Sequence, residues 1–257
     1  TFEEVFENMR KDSNVIGTVA IENTIAGSLL HNYELLRESG ATIIGEHKLR
    51  ISHNIMCLPD EDWDDLTEVN SHPVALAQCR EFLQHHPGLK VVETEDTAGS
   101  AENISRNQLK GHAAICSKYA AELYGMKILQ EGIETNKHNF TRFLVVCDPW
   151  MADELKDRSK INKVNLVFSL PHNEGSLSQV LSIFSFYKIN LTKIQSLPII
   201  GREWEYLFYV DIMFNDYLRY KQAIDAVTPL TKALKILGEY AEGESIITYS
   251  LPTVWQA

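Results

Sequence analysis

The 257-residue chain reads as an α/β protein in two parts: a two-lobed region with parallel-rich sheets facing a cleft, then a ferredoxin-like βαββαβ domain. Three observations predict this. Short β-branched runs alternate with helical stretches through residues 1–148, the pattern of strands joined by crossover helices. Several of these strands end in polar turns containing glycine or proline, and repeated turns of that kind point to two small lobes around one cleft. Beyond a charged stretch the order becomes strand, helix, strand, strand, helix, strand, which is the ferredoxin-like arrangement.

Taken in order, Phe2 to Arg10 places Phe2, Val5, Phe6 and Met9 at helical spacing. Val15 to Ile21 is a strand that ends in Glu22-Asn23-Thr24 and Gly27-Ser28, ahead of a helix from Leu29 to Arg37 with Asn23 or Thr24 as candidate cap. Leu66 to Val69 leads into Asn70-Ser71-His72-Pro73, where Pro73 suits the first turn of a helix through Gln78 and Phe82. Here Ser71 is the candidate cap and His72 is expected in solvent. Val91-Val92 runs into Thr94 to Ala98, followed by a helix from about Gly99 to Gln108. His112 to Ile115 precedes Ser117 and a helix through Tyr124, and Asn139 to Val146 is the last strand of the region. Residues 149–162 are charged and poor in apolar side chains, and read as a linker. In the domain at 163–243, Val164 to Leu170, Leu191 to Leu197, Trp204 to Met213 and Ile236 to Tyr240 are strands, with helices at Gly175 to Tyr187 and Tyr217 to Leu234. A tail occupies 244–257.

Composition narrows the function classes. Lys plus Arg number 24 against 35 Asp plus Glu, a net charge of −11, so no general positive field draws in nucleic acid or anionic lipid. An anionic ligand then needs a few well-placed donors. No apolar run approaches the roughly 20 residues of a membrane span, so a soluble chain is expected, and the cysteine usage points to a cytoplasmic protein. Cys57, Cys79, Cys116 and Cys147 are widely spaced and read as reduced core thiols. The pair His85-His86 sits before Pro87-Gly88 without a carboxylate at ligand spacing, and no metal site is expected.

The residues best suited to chemistry are Thr141, Arg142 and Phe143, which open an apolar strand. They could present a hydroxyl, a bidentate guanidinium and an apolar wall to a ligand. The plainer alternative is that Arg142 pairs with a surface acid and Thr141 serves β propensity.

As an ordered set, these elements resemble a prephenate dehydratase with a C-terminal ACT regulatory domain, over essentially the whole chain. The residues carrying the resemblance are Ile21-Glu22-Asn23-Thr24 with Gly27-Ser28, Ser71-His72-Pro73 with Gln78-Cys79, Asp96-Thr97-Ala98, Ala113-Ala114-Ile115 with Ser117, and Thr141-Arg142-Phe143 after Asn139. The resemblance implies a periplasmic-binding-protein-like dehydratase domain that converts prephenate to phenylpyruvate in phenylalanine biosynthesis, needs no cofactor, and has Thr141, Arg142 and Phe143 as catalytic residues. Glu22, Asn23, Thr24, Gly27, Ser28, Ser71, His72, Gln78, Thr97 and Ala98 are the implied substrate-binding residues. Arg142 is expected to hold the side-chain carboxylate of the substrate, because a cation on the departing carboxylate would stabilise the ground state.

The resemblance also implies feedback inhibition by phenylalanine at Asn173, Gly175, Ser176 and Leu177 together with Gln195, Ser196, Leu197 and Pro198. A homodimer or homotetramer through the ACT domains is implied too. Gln195 and Leu197 stand where the family carries Glu and Arg. The family opens with a strand and a Gly-x-x-Gly-Thr-Phe turn that do not precede Phe2 here: either the sequence is truncated or the catalytic domain lacks that element, and if the chain as written is the entire protein, low activity and poor solubility are expected. Arogenate dehydration is the nearest alternative. A non-catalytic two-lobed amino-acid sensor is another, which the presence of Thr141 and Arg142 disfavours.

Overall fold

Helix α1 (Phe2–Lys11) starts with a reciprocal cap: the Glu4 amide donates to the Thr1 hydroxyl, and the Glu4 carboxylate returns the contact to the Thr1 backbone. The computed structural model describes residues 1–243 and 245–246, so the expected tail at 244–257 lies outside the described residues apart from the short strand at 245–246. Two units result. One holds 1–22, 28–48 and 142–245, and the other holds 23–27 and 49–141.

In the first unit α1 is followed by β1 (Gly17–Asn23), β2 (Gly27–Ser28), α2 (Leu30–Ser39) and β3 (Thr42–Arg50). Gly40 ends α2 at φ +75°, a conformation that disfavours a side chain. In the second unit come β4 (Asn54–Cys57), β5 (Glu68–Ser71), α3 (Pro73–Gln78), α4 (Arg80–Gln84), β6 (Lys90–Glu93), α5 (Thr97–Asn107), β7 (His112–Cys116), α6 (Lys118–Tyr124) and β8 (Lys127–Gln130). Their sheet runs β6-β5-β7-β4-β8, with β5 parallel to both β6 and β7 and with β4 antiparallel to both β7 and β8. The expected parallel core is present, flanked on one side by antiparallel strands.

Strand β9 (Phe140–Cys147) returns the chain to the first unit. The stretch expected to be an open linker begins as a helix, α7 (Pro149–Leu155), because Asp148 accepts from the Trp150 amide and Pro149 occupies the first turn. Then β10 (Lys163–Ser169), α8 (Ser176–Phe186), β11 (Asn190–Pro198), β12 (Tyr206–Met213), α9 (Tyr217–Val227) and β13 (Ala233–Tyr240) form the ferredoxin-like domain. Helix α9 stops seven residues short of Leu234: Pro229 has no N–H to continue it, and the chain passes through a 3-10 turn at Thr228–Leu230.

The antiparallel order β11-β12-β10-β13 continues through β3, β9, β1 and β2 in one sheet. Both faces of its middle are covered, which explains why every residue of β10 is buried. Val164, Leu166 and Phe168 face Val180, Phe184, Tyr220 and Val227 of the two helices, while Val167 joins a second core with Phe6, Ile21, Leu36, Ile43 and Val146. Each such large apolar side chain contributes about 1.5–3 kcal/mol on full burial.

The junction of β13 with β3 is a single parallel pairing at Gly238 and Ile43. A Cβ on Gly238 would collide with the Ile43 carbonyl. Gly238→Ala should therefore lower stability by about 1–3 kcal/mol, read as an earlier urea midpoint; an unchanged midpoint would show that the two strands have room to part.

Candidate functional site

Asn23, at the end of β1, is fixed by its own turn. Its Oδ1 accepts the amides of Ile25 at 3.0 Å and Ala26 at 2.8 Å, so its Nδ2 must be the outward donor. That nitrogen reaches Asn139 Oδ1 at 2.8 Å, Thr141 Oγ1 at 3.1 Å and the Phe140 carbonyl at 3.2 Å. Asn139, fully buried, in turn donates through Nδ2 to Gln78 Oε1 at 2.8 Å. Gln78 Nε2 stands 3.5 Å from Asn23 Oδ1, and Gln78 Oε1 also meets His53 Nε2 at 2.8 Å. Thr24 locks the same corner: its hydroxyl donates to the His138 carbonyl and accepts from the Phe140 amide, each at 2.9 Å.

The direction of these bonds carries the chemistry. Thr141 Oγ1 accepts from an amide N–H, so its own O–H remains available to donate. Accepting one hydrogen bond also strengthens the donor character of that O–H. Thr141 is half-buried, so this donor is not wholly surrounded by water.

Arg142 follows Thr141 in β9, and the pleat turns consecutive side chains to opposite faces. Its Nε donates to Glu46 Oε2 at 2.6 Å, one terminal nitrogen is paired with Asp211, and the other meets the Tyr240 hydroxyl at 3.2 Å. Glu46 is also held by Lys163 at 2.8 Å, and Asn165 donates to Asp211. Burial works against the Arg142 charge, but Asp211, Tyr240 and Glu46 outweigh it and raise the pKa further. Glu46 titrates below the ordinary carboxylate range because Arg142 and Lys163 outweigh its burial. Each of the three guanidinium nitrogens thus has a partner inside the protein, which engages three of its five N–H donors. Pairing with an acid is what occurs, in the interior instead of at the surface.

The other expected residues divide. Asn23, Thr24, Gln78 and Thr141 come together in the second unit. Glu22 and Ser28 lie in the first, both held at 2.9 Å by Lys193, whose ammonium also stands 5.3 Å from the centre of the Tyr33 ring. Gly27, at φ +85°, makes the turn between them. Ser71 is fully buried and donates to the Ile115 carbonyl at 2.6 Å, so it is not the expected cap; His72 is, accepting the Val74 amide through Nδ1 at 3.2 Å. Thr97 and Ala98 open α5 behind the Asp96 cap, at the carboxyl end of β6. Phe143 is half-buried on the Thr141 side of β9. Residue spacing did not single out His53, and the resemblance quoted Asn139 without giving it a role. The cysteines are buried, with thiols pushed by desolvation to about 11 for Cys57 and Cys147 and about 12 for Cys79 and Cys116.

In the ferredoxin-like domain, Asn173, Ser176 and Leu177 line a cavity of about 130 Å³ with Trp204, Tyr206 and Phe208. Leu197 and Pro198 line a different one of about 360 Å³, and Gln195 is half-buried on β11. The cavity beside Asn173, Ser176 and Leu177 is thus separate from the one beside Leu197 and Pro198. Gly175, at φ +75°, starts α8 with no side-chain cap.

A family model described as prephenate dehydratase matches residues 1–149. Arogenate dehydratase 1 of Petunia hybrida is 38% identical over 237 residues, 86% of this chain and 55% of that protein. The bifunctional chorismate mutase/prephenate dehydratase of Buchnera aphidicola is 30% identical over 246 residues, 93% of this chain and 62% of that protein. The chain thus spans little more than half the length of these curated relatives. Among solved structures, prephenate dehydratase of Arthrobacter aurescens in complex with L-Phe superposes with a TM-score of 0.81 at 28% identity, covering 92% of this chain and 78% of that one. A structure described as GqqA, a novel type of quorum quenching acylase, gives 0.82 at 27% identity over 94% and 87%. No helix among the described residues is long and apolar enough to cross a membrane.

Removing the cation from the Arg142 cluster leaves two buried carboxylates short of a partner. Arg142→Met should cost about 3–5 kcal/mol by chemical denaturation. A loss under 1 kcal/mol would mean that the cluster is dispensable and that Arg142 is free for another role.

Proposed function

The chain belongs to the prephenate dehydratase family, and from that premise we propose that it catalyses decarboxylating dehydration of prephenate, with Thr141 as hydrogen-bond donor to the departing oxygen. The observation that carries this is the sense of the Asn23 to Thr141 hydrogen bond, which leaves the threonine hydrogen for a ligand. In the reaction the bond from the ring to its carboxylate breaks, its electron pair enters the ring, and the ring C–O bond breaks. The leaving hydroxide takes a proton to become water, and carbon dioxide departs. Aromatisation drives the step, so the protein has to place the substrate and meet the charge growing on the leaving oxygen. A threonine hydroxyl is a weak acid, and it assists here as an aimed donor, with solvent as the final proton source.

Arogenate carries the same ring and leaving group, and the identity to the Petunia enzyme gives that substrate a specific claim. An acylase activity finds less support. Thr141 is bonded to an amide instead of a base, and the cysteine thiols are too buried and too weakly acidic to serve as nucleophiles. Incubating the chain with prephenate and with arogenate, and following the aromatic product, separates the two substrates. Thr141→Ala should lower turnover on the order of a hundredfold or more while changing folding stability by about 1 kcal/mol or less. Undiminished turnover would remove Thr141 from the chemistry.

We further infer that residues 163–243 are an ACT regulatory domain that binds phenylalanine and associates into a homodimer or homotetramer. The uncapped start of α8 offers amide donors to a carboxylate, and the cavity beside it has Trp204, Tyr206 and Phe208 for an aromatic side chain. The separation of Leu177 from Gln195 fits a site completed by a second copy. Asp211 lies on β12 of this domain, so movement of that sheet would reach Arg142 directly. Calorimetry should give heat for phenylalanine, with affinity reduced about tenfold in Trp204→Ala, equivalent to about 1.4 kcal/mol. The absence of heat at millimolar phenylalanine would leave the domain without this effector.

A further inference from the structure

We propose that His53 is a positioning residue for the dehydration, acting on Thr141 through Gln78, Asn139 and Asn23. The proposal deepens the dehydratase reading and rests on it. His53 is nearly inaccessible, with 6% of its surface exposed, and it is rigidly mounted. Its amide donates to the buried Glu134 Oε2 at 2.9 Å, and its carbonyl accepts from the Ile133 amide at 2.8 Å. The same segment also holds Gln78, whose carbonyl accepts from the Thr135 amide at 2.8 Å.

The ring nitrogen that meets Gln78 must carry a hydrogen, and the reason lies at the far end of the network. Ile25 and Ala26 fix Asn23 with Oδ1 inward, so Nδ2 faces Asn139 and Thr141. Asn139 must then present Oδ1 to Asn23 and Nδ2 to Gln78, and Gln78 must present Oε1 to Asn139. The second lone pair of that oxygen faces His53 Nε2 at 2.8 Å, which a bare nitrogen cannot satisfy. The neutral ring is therefore the Nε2–H tautomer. Turning Gln78 over would set its NH₂ against Asn139 Nδ2. Relieving that clash by turning Asn139 would withdraw the acceptor that helps hold Asn23 toward Thr141.

His53 thus closes the chain that keeps the Asn23 amide donating to Thr141. Without its N–H, Gln78 can rotate, and Thr141 loses the partner that leaves its hydrogen pointing outward. The effect belongs to kcat, because substrate affinity does not depend on which lone pair of Thr141 is occupied.

His53→Phe keeps the ring and removes the donor, whereas His53→Gln keeps an N–H at similar reach. In the full chain, His53→Phe should lower kcat roughly 10- to 100-fold with KM within about threefold, and His53→Gln should recover most of the loss. In a Thr141→Ala background His53→Phe should have no further effect, since the path ends at that hydroxyl. Equal losses in both backgrounds, or a KM defect at constant kcat, would overturn the proposal in favour of a structural role. Should His53→Phe fail to fold, nitrogen NMR of labelled histidine in the unmodified chain decides: an Nε2–H ring supports the network, and an Nδ1–H ring overturns it. If the unmodified chain turns over neither prephenate nor arogenate, the dehydratase reading fails and the catalytic role falls with it, while the tautomer still reports whether the network is as described.

Discussion

Two buried cations and two buried carboxylates that cancel one another set the terms for the first unit. Arg142 and Lys163 stand against Glu46 and Asp211, with side-chain exposures of 11%, 4%, 0% and 2%. Any one of them alone in that interior would cost several kcal/mol, so all four have to arrive together. They come from β9, β10, β3 and β12, which means that the quartet reports on the register of four strands at once. A one-residue slip in any of these strands would turn its charge to the wrong face. The cluster also explains why the ferredoxin-like strands belong to the same unit as β1 and β3: Asn165, Asp211 and Tyr240 complete the shell around a guanidinium carried by β9. Once Arg142 is committed there, the pleat sends Thr141 the other way.

On that other face a second constraint operates, and its currency is hydrogen-bond direction instead of charge. Amides can be turned end for end, so a network built from Asn and Gln has a sense only where something anchors it. The anchor is the pair of backbone amides of Ile25 and Ala26 on Asn23 Oδ1. From there each carboxamide has one permitted orientation, through Asn139 to Gln78. Low local dielectric makes the wrong orientation costly, because two buried donors would face each other.

Much of this was legible in the sequence, and the parts that were not fail for identifiable reasons. The alternation of strands and helices, the Pro73 helix start, and the βαββαβ order all follow from local periodicity and turn chemistry, and the structure has them. The helix at Pro149–Leu155 was masked by its charged composition, although Asp148 and Pro149 are a helix start by the same rules that identified Pro73. The end of α9 at Val227 likewise carried its signal in Pro229. Strands β3, β4 and β8 had weaker local signatures. Among site residues, Asn23, Thr24, Gln78 and Thr141 were named through resemblance and meet in the fold. His53 was not, because nothing in the local pattern Ser52-His53-Asn54 announces a partner 25 residues away. The fate of Arg142 was equally hidden: whether a guanidinium at a strand start faces a ligand or an internal carboxylate depends on Glu46 and Asp211, which lie 96 and 69 residues distant.

The network aims Thr141 more than it acidifies it. Cooperative polarisation strengthens a hydrogen bond by about 10–30% per added link, which is far from the shift needed to make an aliphatic alcohol an acid at neutral pH. What an occupied lone pair changes decisively is geometry. A hydroxyl with both lone pairs open can rotate its hydrogen toward any nearby acceptor, including the carbonyls that surround Thr24 and Phe140. With Asn23 Nδ2 at 3.1 Å on the oxygen, one lone pair is taken, and the hydroxyl hydrogen can still be given to a ligand. The dehydration proposed above is driven by aromatisation and requires no strong acid: for that reaction a donor whose orientation is fixed by folding, before the leaving oxygen acquires its charge, is sufficient.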